Sequence, residues 1–162
     1  MNIVLFRHGH KVFSIDQDPG LSPKGFEQSH HLLEIIENKI IPPPTHVWVS
    51  EKKRTYQTLE KSIDVYKPVL YKKSDLNHRD SEELLSSFHQ RIQKFIYDLT
   101  SRIKSNETHY VCTHYDWIEV FSNLAHCQQD LNSYEYSNWT PGQFLVFEYS
   151  HSLLNVIQKG AL

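Results

Sequence analysis

Several apolar runs of this chain end in polar residues that suit one kind of chemistry. They are two arginines and two histidines after three different runs: Arg7, His8, Arg54 and His114. Forked guanidinium donors suit a carboxylate or a phosphate, and an imidazole with an ordinary pKa near 6.5 can act as an uncharged nucleophile. We therefore predict a phosphoryl site in which His8 attacks phosphorus and the other three stabilise the phosphoryl oxygens. Gly9, which lacks a side chain, lets the backbone approach the anion closely.

These side chains meet only if the chain builds a layered domain. Short apolar runs predict strands, and longer stretches with helical spacing of apolar residues predict helices. The predicted strands are 3–6, 46–49, 69–71, 109–113, 144–149 and 153–157, and the predicted helices are 23–38, 50–64, 81–103 and one that follows His114. This alternation predicts a single three-layer α/β/α sandwich over residues 1–162, with a mainly parallel sheet. In such sheets ligands bind beyond the carboxyl ends of the strands, where the four polar residues should converge.

The sequence also predicts how the helices begin and which faces they bury. Ser22 before Pro23, and Ser50 further along, are predicted N-caps. Helix amino termini at Ser50 and behind His114 should offer backbone donors to the anion. Apolar faces are predicted for the first helix at Phe26, Leu33, Ile36 and Ile40, and for the third at Leu84, Leu85, Phe88, Ile92, Phe95, Ile96, Leu99 and Ile103.

Composition excludes several classes of partner. The 17 Lys+Arg against 19 Asp+Glu give a formal net charge of −2. The chain therefore has no overall positive charge that would attract nucleic acid or an anionic membrane. With only two cysteines and no signal or membrane-spanning segment, we expect a cytoplasmic protein. The sequence has neither a phosphate-cradling glycine-rich loop nor a metal-binding His or Cys motif, so we expect no nucleotide cofactor and no metal.

Four motifs together resemble one family. They are RHG at 7–9, LSPKGFEQ at 21–28, SEKKRTYQT at 50–58 and THYDW at 113–117. In this order they are similar to the motifs of the histidine phosphatase superfamily, which has the phosphoglycerate mutase-like fold. The resemblance implies that His8 becomes the phosphohistidine, that Arg7, Arg54 and His114 bind the phosphoryl group, and that Ser14 is a further phosphate contact. The short chain most resembles the SixA-type phosphohistidine phosphatases, which lack the cap domain of mutases.

The chain departs from the family where relatives carry a glutamate as proton donor. The corresponding stretch is SDLNHRD, with His78 at that position, and Asp80 and Asp116 are alternative donors. An alkoxide leaving group needs a proton, whereas the imidazole of phosphohistidine can leave already protonated. We therefore predict a phosphatase for phosphohistidine on a protein such as a histidine-phosphotransfer domain. There are two alternatives. One is a phosphomonoesterase that acts on small molecules, and the other is a catalytically silent module that binds phosphate or a phosphopeptide.

Two further groups of residues have no predicted catalytic role. His10 and Lys11 add positive charge beside the predicted pocket. Tyr134, Tyr136 and Trp139 form an aromatic group before the last hairpin, for which core packing is favoured over substrate contact.

Overall fold

One six-stranded sheet organises the protein. The computed structural model describes residues 1–102 and 104–162, so Ile103 of the predicted apolar face lies outside the described residues. The strands are β1 (Asn2–Arg7), β2 (His46–Val49), β3 (Val69–Lys72), β4 (Thr108–Thr113), β5 (Gln143–Ser150) and β6 (Leu153–Ala161). Their order across the sheet is β3-β2-β4-β1-β5-β6. Neighbouring strands from β3 to β1 pair in parallel, and β5 pairs antiparallel with both β1 and β6.

The helices cover both faces of this sheet. They are α1 (Pro23–Glu37), α2 (Lys53–Tyr66), α3 (Leu85–Arg102), α4 (Tyr115–Leu124) and the single-turn α5 (Tyr134–Ser137), and a 3₁₀ turn spans Ser74–Leu76. Within the described ranges, no helix is long and apolar enough to cross a membrane.

Alternation along the central strands divides the core into two layers. In β1, Val4 and Phe6 pack with the buried residues of α1 and α2, whereas Ile3 and Leu5 pack with those of α3 and α4. Because both faces are covered, β1 is a continuous apolar run rather than an alternating one. The predicted α/β/α sandwich with a mainly parallel sheet and no cap domain is confirmed.

Helix α1 begins as predicted but buries a different face. The Ser22 hydroxyl accepts a hydrogen bond from the Gly25 amide and caps the helix. Phe26 and Ile40, however, are 39% and 49% exposed. The buried residues of the apolar face are Leu32, Ile35 and Ile36. The predicted face was therefore wrong at Phe26 and Ile40, whereas Ile36 is buried and Leu33 is half-buried. The helix packs on the sheet through the face centred between Leu32 and Ile36.

The beginnings of α2 and α3 also differ from prediction. The cap position of α2 is Lys52, without a side-chain capping bond, so the assignment of Ser50 as N-cap was wrong. The amide of Lys53 in the first turn donates to both carboxylate oxygens of Asp18, at 3.2 Å each, so this donor is already engaged by a side chain. Helix α3 begins only at Leu85, and Leu84 and Leu85 are both exposed.

Candidate active site

Three neighbouring strands deliver the candidate residues to one cleft. The parallel register aligns Arg7 of β1 with Thr113 of β4, so His8 and His114 both follow directly at the same edge of the sheet. Their ring centroids are 5.2 Å apart. Arg54 comes from the first turn of α2, which follows β2. Arg7, His8, Arg54 and His114 all line one open cleft of about 470 Å³, as convergence at the strand ends predicts.

Arg54 bridges the two imidazoles. Its Nε lies 3.2 Å from Nε2 of His8, and its Nη2 lies 3.2 Å from Nδ1 of His114. Arginine can only donate, so both of these imidazole nitrogens accept and carry no proton. His8 therefore holds its proton on Nδ1, which donates to the Gly9 carbonyl at 2.8 Å. His114 holds its proton on Nε2, which donates to the Ser50 hydroxyl at 2.9 Å.

Burial and positive charge keep both imidazoles neutral. Burial lowers the pKa of His8 to about 3, and the charges of Arg54 and Arg7 act in the same direction. Burial, followed by the charge of Arg54, also lowers the pKa of His114. A buried imidazole that stays unprotonated has the lone pair that a nucleophile needs. In His8 that lone pair is on Nε2, in the cleft.

The SEKKRTYQT segment holds the cleft together through contacts that its sequence does not reveal. Beyond Ser50 and Arg54, the carboxamide oxygen of Gln57 accepts from the Leu21 amide at 2.9 Å. The hydroxyl of Thr58 accepts from the Gly9 amide at 2.9 Å. These bonds fix the loop after β1 onto α2, and with it the orientation of His8.

Arg7 is held from two sides. Its Nη1 donates to the Trp139 carbonyl, and its guanidinium carbon lies 5.2 Å from the centroid of the Tyr115 ring. The buried Nε of Arg7 has no hydrogen-bond partner among the described residues. Trp139 itself is buried in the core and Tyr136 packs against that core, whereas Tyr134 is 95% exposed.

Two of the three candidate proton donors line the cleft. His78 lies with its ring centroid 5.2 Å from that of His114, and its Nδ1 is 3.0 Å from the Arg79 carbonyl. Asp116 lines the cleft from the first turn of α4 and accepts the Arg79 amide at 2.7 Å. Asp80 lies outside the cleft lining, and its carboxylate accepts from the Glu82 amide.

Two predicted substrate contacts are not brought to the cleft. The amide of Gly9 is engaged by Thr58, and a side chain at Gly9 would meet Gln28 and Leu21 at 3.2 and 3.3 Å. The close backbone approach at Gly9 is therefore toward α1. Ser14 is exposed, and its hydroxyl accepts from the Asp16 amide at 3.0 Å.

Other residues at the cleft were not singled out as functional by the sequence. His10, Lys11 and Phe13 line it, and Nδ1 of His10 lies 2.7 Å from the Ser22 hydroxyl. Asp18 places a carboxylate oxygen 3.6 Å from Nη1 of Arg54. An aspartate in an exposed loop gives no sequence signal for such a contact, because it depends on how the loop folds back over α2.

One cluster elsewhere has metal-ligand types. The ligand atoms of His46, Glu107 and His109 lie within 4.8 Å of one another at the amino ends of β2 and β4, opposite the cleft. The Trp48 indole donates to Nδ1 of His109 at 3.0 Å. The proton of neutral His109 is therefore on Nε2, 3.1 Å from a Glu107 oxygen. That hydrogen bond accounts for the cluster without a metal ion, because a ligating nitrogen must be unprotonated.

Comparison with known proteins finds one matching family. The family model for the histidine phosphatase superfamily (branch 1) matches residues 3–80, the segment that supplies Arg7, His8 and Arg54. Just under half of this chain therefore resembles the histidine phosphatase superfamily. Over 63 residues this chain is 44% identical to 6-phosphofructo-2-kinase/fructose-2,6-bisphosphatase 4 of Rattus norvegicus. That match covers 36% of this chain and 13% of the rat protein, so the chain spans only about an eighth of this relative.

Solved structures agree with this histidine phosphatase fold over its whole length. The protein histidine phosphatase SixA, solved with tungstate, superposes with a TM-score of 0.74 at 15% identity, covering 99% of this chain and 97% of the other. Phosphoserine phosphatase from Entamoeba histolytica, in complex with 3-phosphoglyceric acid, gives a TM-score of 0.76 at 13% identity over 99% and 97% of the two chains. At such low identity these similarities establish the fold alone.

Proposed function

We propose that this protein is a phosphatase that transfers a phosphoryl group to Nε2 of His8 and then to water. One observation carries the proposal: the Nε2 lone pair of a buried neutral imidazole lies in a cleft lined by two arginines. Such a group is a nucleophile facing fixed positive charge, which is what phosphoryl transfer requires.

The reaction has two balanced steps. First, Nε2 of His8 forms a bond to phosphorus as the bond from phosphorus to the leaving group breaks, with Arg7 and Arg54 binding the phosphoryl oxygens. The leaving group keeps the electron pair of the broken bond and takes a proton if it needs one. Second, a water oxygen bonds to phosphorus as the bond between phosphorus and Nε2 of His8 breaks. Nε2 keeps the electron pair, so His8 is neutral again, and the water proton passes to solvent as phosphate leaves.

We propose phosphohistidine on a protein as the preferred substrate class. Phosphohistidine needs little help from a proton donor, and the rim of the cleft suits a macromolecule. Phe13 and Tyr115, which line the cleft, are 87% and 40% exposed, and Ile15, two residues after Phe13, is 106% exposed. Apolar side chains held in water at a phosphate site support contact with a protein surface. The free thiols of Cys112 and Cys127 fit the proposed cytoplasmic location.

Hydrolysis of small phosphomonoesters is the second candidate function. The observation in its favour is the carboxyl group of Asp116, which lines the same cleft as His8, with His78 beside it. Either side chain could protonate an alkoxide as it leaves, a contribution typically worth about 10² to 10⁴ in rate.

A trapped phosphoenzyme tests the proposal. The protein is incubated briefly with a ³²P-labelled phosphohistidine protein or with labelled phosphoserine, then quenched in alkali and mapped by mass spectrometry. We expect acid-labile label on His8, formed faster from phosphohistidine. His8→Asn should abolish label and turnover, whereas His30→Asn, which changes an exposed histidine on α1, should behave as the wild type.

The outcomes separate the candidates. Label on His8 from phosphoserine alone would favour the phosphomonoesterase. Phosphate binding by calorimetry without label or turnover would indicate a silent binding module. Full turnover by His8→Asn would refute the mechanism.

A further inference from the structure

The two imidazoles of the site differ in the group that holds their second nitrogen. Nδ1 of His8 donates to the carbonyl of Gly9, and a carbonyl can only accept. Nε2 of His114 faces the Ser50 hydroxyl at 2.9 Å, and a hydroxyl can either accept or donate. The carbonyl therefore fixes the tautomer of His8, whereas the hydroxyl permits both neutral tautomers of His114.

The buried hydroxyl of Ser50 can reverse its role at the cost of one hydrogen bond, the one it donates to Thr55, while its own hydrogen keeps an acceptor. It lies 3.0 Å from the hydroxyl of Thr55, which also lies 2.8 Å from the Lys52 carbonyl. In the arrangement that Arg54 imposes, His114 donates to Ser50, Ser50 to Thr55, and Thr55 to the carbonyl. In the reversed arrangement Ser50 donates to Nε2 of His114, and Thr55 keeps its bond to the carbonyl. Every hydrogen has an acceptor in both.

A bound phosphoryl group favours the reversed arrangement. Nδ1 of His114 accepts from Arg54, and a lone pair there would repel a phosphoryl oxygen, whereas an N–H would bind it. Protonating both nitrogens is opposed by burial and by the groups that face the ring from other elements, which are Arg54, His8, His78 and Lys52. Exchange of neutral tautomers gives the donor without adding charge.

We propose that Ser50 is a positioning residue that lets His114 exchange its Nε2–H tautomer for the Nδ1–H tautomer when a phosphoryl group binds. One proton is taken up at Nδ1 and one is released from Nε2, with water as the partner of both transfers, so the ring stays neutral. The Ser50 hydroxyl turns from acceptor to donor. This inference rests on the proposed function, because it requires a phosphoryl group in the cleft.

Nitrogen-15 NMR of the wild-type protein tests the exchange directly. Histidine ring shifts distinguish the two neutral tautomers and the imidazolium, and the spectra are recorded at pH 7.5 with and without inorganic phosphate. We expect Nε2–H on His114 without phosphate and Nδ1–H with it, while His8 keeps Nδ1–H throughout. If phosphate binds and His114 is unchanged or doubly protonated, this inference is overturned but the proposed function is not. Phosphate that affects neither imidazole would contradict the proposed function as well.

Variants of Ser50 supply a second readout. Ser50→Ala should lower phosphate affinity and kcat/KM about tenfold, because a buried nitrogen loses its partner. It should also abolish the tautomer exchange, and Ser50→Thr should restore both. The control is Ser62→Ala, which removes an equally buried hydroxyl that donates to the Leu59 carbonyl within α2. Tautomer exchange that persists in Ser50→Ala would refute the role of the hydroxyl. If that variant does not fold, the spectra of the wild-type protein decide whether the exchange occurs.

Discussion

The buried, uncharged imidazole of His8 should make the folded protein sensitive to mild acid. In the unfolded chain its pKa is near 6.5, whereas burial lowers the folded value to about 3. Between these values the unfolded state binds a proton that the folded state does not. The free energy of unfolding therefore falls as the pH drops through 6.5, and the loss is complete below about pH 3.

The size of the effect follows from the two pKa values. Between pH 7 and pH 5, His8 should remove about 2 kcal/mol from the free energy of unfolding. His114, whose pKa is lowered for the same reason, adds to the loss. Domains of this kind have a total stability of about 5–15 kcal/mol, so the change is readily measured.

Urea unfolding at pH 7, 6 and 5 measures this contribution. The wild type should lose about 2 kcal/mol more than His8→Asn between pH 7 and pH 5, because the variant lacks the group that titrates. His30→Asn, at an exposed position on α1, should follow the wild type. Parallel losses in the wild type and in His8→Asn would refute the claim that His8 is held neutral by the fold.

Three further substitutions probe the surroundings of the site. Arg54→Lys should lower kcat/KM by about 10²- to 10³-fold, because a single ammonium cannot replace the forked donors, and steady-state rates within tenfold of wild type would contradict this. Gly25→Ala would place a methyl carbon 2.2 Å from the His10 carbonyl, so we expect about 1–3 kcal/mol of destabilisation in thermal unfolding, and an unchanged transition would show that the loop adapts freely. Trp48→Phe removes the donor to buried His109 and should cost about 1–3 kcal/mol in urea, and full stability would mean that the bond is dispensable.

Much of the fold could be predicted because its strands are short, apolar and clearly bounded. Strand β2 has the predicted limits, 46–49, because Pro42-Pro43-Pro44 precedes it and polar residues follow it. The convergence of strand ends follows from general rules for α/β folds, whereas the order of the strands was not predicted. The buried face of α1 was less predictable, because Phe26 is apolar yet exposed and Ile40 falls beyond the end of the helix at Glu37.

For the candidate site, the residues could be predicted from the sequence, but their hydrogen-bond partners could not. The sequence places Arg7, His8, Arg54 and His114 at strand and helix ends, and the structure brings these four into one cleft. The sequence could not show that the Ser50 hydroxyl bonds to His114 across the sheet rather than capping its own helix. That bond depends on the alignment of β2 with β4, which joins positions 64 residues apart.

The guanidinium bridge of Arg54 has a consequence for turnover. In the proposed reaction, each phosphoryl group that enters replaces hydrogen bonds to two imidazole nitrogens, and each orthophosphate that departs allows them to re-form. This competition weakens the hold on substrate and product alike. The cycle is therefore protected against arrest by its own product, and we expect accumulated phosphate to inhibit it only weakly.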